Sequence, residues 1–165
     1  LGATSADVLR AIASPLLFAG FAAVAYGAIF AVRATRNEPS GEEPATGRAF
    51  SLKTAVIFAL TVSAMTLLAA ALHHRYGAAG LVLATLAAGL ADAHAAAIST
   101  ASLVAGGQLE AGAAVVPVLA GLSSNTVSKM VAAFVTGGPR FTLQVAPGLL
   151  LVLAGAWLGL LVRVP

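Results

Sequence analysis

Two short runs set charge-handling side chains inside otherwise apolar sequence. The first is Gly89-Leu90-Ala91-Asp92-Ala93-His94-Ala95, with Ser99 a little further on. The second is Ser123-Ser124-Asn125-Thr126-Val127-Ser128-Lys129. A carboxylate in the middle of a membrane segment costs at least about 2.5–3.5 kcal/mol, so it requires a partner, a proton or a water-filled path. At helical spacing Gly89, Asp92, Ala96 and Ser99 share one face, and Gly121, Asn125, Ser128, Lys129 and Ala132 share another. Lys129 follows Asn125 by one turn. Two polar stripes with small residues beside them can therefore face each other. One chemistry is a cation or proton site, with Asp92 as ligand, Asn125, Ser99 and Ser128 completing the shell, and Lys129 neutralising the acid when the site is empty. The other is a clamp, an Asp92–Lys129 ion pair or an Asp92–Asn125 hydrogen bond that holds two helices together. His94, two residues from Asp92, points about 200° away on a regular helix and shares a ligand with it only if the helix is broken around Ala91–Ala93. It reads either as a hydrogen-bonded core histidine or as a proton relay or metal ligand.

The elements that must position these groups follow from hydropathy. Apolar stretches near 12–34, 51–73, 78–105, 111–136 and 142–162 reach the roughly 20 residues of a crossing helix. They are continuous and do not alternate, which predicts helices over barrel strands. The expectation is an all-α, polytopic transmembrane bundle of about five spanning helices in a single domain over 1–165. Gly106-Gly107-Gln108-Leu109-Glu110 is short enough to join the third and fourth as an antiparallel hairpin. Asp92 and Asn125 are equidistant from its midpoint, so they sit at matched depth. Pro117 falls inside the fourth span and predicts a kink there, Gly137-Gly138-Pro139 a stop, and Pro147 a bend in the fifth. Gly155 and Gly159 form a small-xxx-small pair, either an oligomer seam or ordinary internal packing. Residues 36–50 read as a flexible polar loop. His73-His74-Arg75-Tyr76 suits an interfacial anchor, with metal capture by the adjacent imidazoles the alternative.

Composition agrees. Hydrophobic residues are 59% of the chain and charged ones 9%, against roughly 25% charged in soluble domains. The formal charge of +3 comes from basic residues flanking apolar runs, which does not make a nucleic-acid surface. With no cysteine, disulfides and thiolate metal sites are excluded. The first apolar run ends on Arg33 and Arg36, a stop-transfer flank and not a cleavage site. A first residue of Leu1 reads as a trimmed chain or the C-terminal part of a longer protein. Counting basic residues over five crossings puts Arg33, Arg36, Arg48, Lys53 and Arg163 on one side and Arg10, Arg75 and Arg140 on the other. That bias predicts an outside N-terminus and a cytoplasmic C-terminus.

Gly89-Leu90-Ala91-Asp92-Ala93-His94-Ala95 is similar to the Gly-Leu-x-Asp-x-Asp-Ala run of DUF4010, an uncharacterised bacterial membrane domain. Ser124-Asn125-Thr126-Val127-Ser128-Lys129 resembles its Asn-Thr-x-x-Lys run, Gly137-Gly138 follows as in the family, and Arg48-Ala49-Phe50-Ser51-Leu52 resembles its pre-span segment. The resemblance extends from about Pro15 to the C-terminus. It implies an inner-membrane protein, often joined to an MgtC/SapB-type domain and loosely associated with magnesium and cation homeostasis. His94 stands where the family tends to have a second acid, which weakens a two-carboxylate divalent site and favours a proton-coupled or monovalent one.

The expected function is a transporter or channel for a small cation or proton, coupled to protons or related to magnesium. Its midplane site comprises Asp92, Asn125, Lys129, Ser99, Ser128 and His94, with Gly89, Gly121 and Pro117 shaping the backbone. The alternative is a non-transporting regulatory or scaffold subunit held by the same stripes. No resident cofactor is expected beyond a bound cation, and no enzyme motif is present: Gly-rich phosphate loop, His-Glu-x-x-His and Gly-x-Ser-x-Gly are all missing. So small a bundle conducts more easily at a subunit seam, so a homodimer in the bilayer is expected.

Overall fold

Long Ala- and Leu-rich runs leave the backbone no partner but itself, and they fold as helices. The computed structural model describes residues 6–34 and 52–162. The elements are α1 (Ala6–Ala11), α2 (Ala13–Ala34), α3 (Leu52–Ala91), α4 (Ala93–Ala105), a 3-10 turn (Ala111–Ala114) and α5 (Val115–Leu161). Among the described residues there is no strand. The stretch Ala111–Leu161 is long and apolar enough to cross a membrane. The expected loop at 36–50 lies outside the described residues.

Two of these helices are each two helices. α3 breaks at Gly77 (φ 60°, ψ −142°) and α5 at Gly138 (φ 72°, ψ −179°), conformations essentially confined to glycine. Both breaks are reversals. A Cβ on Gly80 would strike the Leu72 carbonyl, though eight residues of straight helix would separate these by about 12 Å. Beyond Gly138, Trp157 Nε1 donates to Ser123 Oγ at 3.2 Å, and Ala156 packs in one cluster with Leu119. The halves 115–137 and 139–161 therefore run antiparallel about Gly138, as the expected stop at Gly137-Gly138-Pro139 requires. Pro139 opens the new helix, where its missing N–H removes no bond. Pro117 lies in the first turn of α5 and kinks nothing, because the fourth helix begins at Val115 and not at 111. Nor does Pro147 break its helix: Gly138 is the one non-helical residue inside α5.

The stretch 78–105 departs most from expectation. A straight crossing would set Leu81 and Leu103 about 33 Å apart. Instead they share one buried cluster with Ala69 and Ala84. A Cβ on Gly121 would lie 2.9 Å from Ala96 Cβ and 3.2 Å from the Thr85 carbonyl oxygen. Those two groups are thus within about 6 Å of each other, where straight helix would hold them about 16 Å apart. The chain runs in along 78–91, turns at Asp92 and returns along α4. It ends at Gly106 and Gly107 in a Schellman-type closure, Gln108 N–H to Leu103 O at 2.9 Å and Gly107 N–H to Val104 O at 3.0 Å. The third apolar stretch is therefore a helical hairpin that enters and leaves at one end of the bundle.

α4 and the first half of α5 do form the expected antiparallel hairpin: Ala101 clusters with Val115, and Ala96 meets Gly121. α2 lies antiparallel to 139–161, through the Tyr26 hydroxyl bond to the Gln144 carbonyl at one end and Gly159 against Pro15 at the other. Gly155 and Gly159 sit on the Phe18 and Pro15 backbones, so this pair is internal packing.

Candidate functional site

At the hairpin tip Asp92 is extended (φ −159°, ψ 122°) and acts as the N-cap of α4. Its Oδ1 accepts the His94 backbone N–H at 2.9 Å and lies 3.0 Å from His94 Nδ1. The helical ladder spans the turn on either side, with Asp92 N–H bonded to Ala88 O and Ala96 N–H to Asp92 O. An aspartate is among the best residues for this job, since its carboxylate satisfies a first-turn amide that has no partner within the helix. The turn also overturns the expectation that His94 points away from Asp92. That expectation assumed an unbroken helix; the extended φ and ψ of Asp92 bring the imidazole back onto its carboxylate. The Asp92 side chain is 34% exposed and that of His94 84%.

Two glycines let the tip reach α5. A Cβ on Gly89 would collide with the Gly121 carbonyl and Ser124 Oγ, so the inbound arm lies backbone-to-backbone on α5. With Ala96 against Gly121, the antiparallel register sets Asp92 level with Asn125, and Lys129 about 6 Å beyond the tip. The matched depth expected from the Gln108–Leu109 midpoint is thus met through α4 alone.

Beside the tip is a cavity of about 210 Å³. His94, Asn125 and Lys129 form its polar end, and Ile12, Pro15, Leu16, Ala19, Leu119, Leu122 and Ala156 are among its apolar walls. Asn125 is 8% exposed, and its amide has no hydrogen-bond partner among the described residues. Lys129 has no ion pair among them either. Neither clamp drawn from the sequence is formed: Asp92 is bonded to His94, not to Lys129 or Asn125. Ser99 is buried on another face, accepting from Thr66 Oγ1 at 3.0 Å, and Ser128 is half-buried and off the cavity wall. Of the six proposed site residues, three line one cavity, Asp92 joins them through His94, and two hydroxyls lie apart.

Sequence reasoning missed the wall supplied by Ile12, Pro15, Leu16 and Ala19, which come from the far end of the chain and carry no local signal. The break at Asp92 did have one, since an aspartate before an Ala-rich helix is an N-cap signature. Neighbouring hydroxyls are spoken for: Ser123, Ser124, Thr126 and Thr100 donate to carbonyls three or four residues earlier. At the other end, His73 Nδ1 is buried without a partner, and Arg75 lies 5.9 Å from the Tyr76 ring centroid. Among the described residues no three His, Cys, Asp or Glu side chains gather as a metal site would require.

A family model described as a domain of unknown function (DUF4010) matches residues 1–137. The matched stretch starts before Pro15 and stops one residue short of the Gly138 reversal, so 139–161 lies outside it, a different coverage from that expected. No curated protein and no solved structure matches the chain. Because the match takes in α1 through the first half of α5, the hairpin tip and the cavity's polar end included, the chain belongs to the DUF4010 family.

Proposed function

We propose that the protein is a multi-pass membrane transporter or channel for a small ion, worked at the tip of a re-entrant helical hairpin. Four segments, 13–34, 52–76, 115–137 and 139–161, each have about 22 to 25 residues. At about 1.5 Å per residue they match the roughly 30 Å hydrocarbon core, and 78–105 dips between them. This layout replaces five crossings with four. Of the described basic residues, the Gly138 end then carries Arg33, Lys53 and Arg140, and the Gly77 end Arg10 and Arg75. The basic excess favours a cytoplasmic Gly138 end, which moves Arg140 to the side opposite its place in a five-crossing layout.

One observation carries the reading. A carboxylate–imidazole pair sits at mid-depth beside a cavity bearing an unpaired lysine. A hydrogen bond between spans is worth about 0.6 kcal/mol, too little to offset the insertion of two charged groups. Non-helical backbone at such depth belongs where it lines a cavity. The Asp92–His94 pair is the natural proton-coupling element. Two copies meeting at this flank would cover the exposed imidazole; light scattering in mild detergent reads that directly, a monodisperse monomer counting against it.

The cysteine-free chain allows a direct test. A single cysteine placed by His94→Cys should react with a membrane-impermeant maleimide in sealed vesicles. Proton flux in liposomes under an imposed ion gradient should fall with Asp92→Asn. The N-cap bond supports a second reading, a scaffold subunit in which Asp92 only shapes the hairpin. Absence of both labelling and flux would select it.

A further inference from the structure

We infer that the cavity beside the hairpin tip binds a small organic carboxylate and not a metal cation; this deepens the reading of the tip as a transport site and rests on it. The side chains at the cavity's polar end are Lys129, His94 and Asn125, and no acid lines it. Asp92 is off the wall, and its Oδ1 is held by two contacts from His94. A cation entering here would meet an ammonium with no carboxylate facing it. An anion would meet that ammonium, the Asn125 amide and the N-terminal end of α4 at Ala93 and His94, where the helix dipole is positive.

Two side chains at that end, the buried Asn125 and the exposed Lys129, have polar groups free to bind. Asn125 is more than nine-tenths buried, lines the cavity and has no hydrogen-bond partner among the described residues, so its amide is left to what enters the cavity. Lys129 has no counter-ion among the described residues. A carboxylate completes both, one oxygen accepting from the ammonium and the other from the amide N–H. The remaining wall argues against a bare inorganic anion, because Ile12, Pro15, Leu16 and Leu119 offer it no hydrogen bond. They suit an alkyl or small aromatic tail instead. The cavity of about 210 Å³ is smaller than the roughly 300–1,000 Å³ of drug-sized ligand pockets, which suits an acid of a few carbons.

The test uses the full chain in detergent, titrated with sodium butyrate and sodium benzoate by calorimetry and thermal melting. Sodium chloride, sodium phosphate and magnesium chloride are the comparisons. Saturable heat and a raised melting temperature are expected for the carboxylates alone. Lys129→Gln should weaken that binding about tenfold or more, the worth of one charge-assisted hydrogen bond, and Lys129→Arg should retain most of it. Absence of saturable carboxylate binding by the folded wild type overturns the inference. So does equal binding of chloride or phosphate, or a magnesium response abolished by Asp92→Asn. Failure here with the cysteine at position 94 still labelled removes the carboxylate and leaves the transport path. Carboxylate binding with that cysteine inaccessible and flux absent leaves a binding site without transport.

Discussion

Two of the reversals in this molecule, at Gly138 and at Asp92, are made in opposite ways. Around Gly138 the chain reverses at an end of the bundle, through one glycine with positive φ and a proline that needs no N–H donor. Water completes the free carbonyls and amides at such a place, so no side chain is required. Around Asp92 the chain reverses halfway along the neighbouring helices, through an extended residue whose own carboxylate takes the first amide of the returning helix. A turn inside the bundle must carry its own acceptor, and a short side chain such as Asp, Asn or Ser supplies it. A capping side chain at the tip is thus a condition of turning there, and here that cap is an acid with an imidazole beside it.

The sharpest way to break this comparison is geometric. Leu81→Cys with Leu103→Cys should join as an intramolecular disulfide on oxidation, whereas a straight third helix would hold the two about 33 Å apart and leave them unlinked. A smaller effect should follow Gly138→Ala or Gly77→Ala. Each forces a side chain into a conformation reserved for glycine and should destabilise by about 1–3 kcal/mol in detergent unfolding. A neutral result at Gly138 would mean that its turn is not the one described. Smallest is the tip itself. Asp92→Ala should cost about 1 kcal/mol through the lost cap, while Asp92→Asn, also a good cap, should cost a few tenths. Equal losses would assign the stability of the tip to charge and not to capping.

Helical class, the glycines that allow close approach and the α4–α5 register were all legible in order along the chain. Each depends on local composition or on spacing about a short turn. The all-α reading holds, Gly89 and Gly121 meet α5 and the outgoing arm as small residues on shared faces should, and Gly138 turns the chain. The site was half legible. Asn125, Lys129 and His94 come to one cavity, but Ser99 and Ser128 do not, and the Asp92–Lys129 pair is absent. The misplaced pairing of Asp92 has a local source: its face and that of His94 were counted along a helix that breaks at Asp92.

Residue order by itself determined that this chain is helical and apolar, with an acid and a base set within apolar runs, because hydrophobicity and spacing act locally. Only the tertiary structure decided that 78–105 returns instead of crossing, since an apolar helix that dips and one that crosses have the same composition. The choice is made by what each arm can rest against, here a glycine on α5 bare enough to receive both.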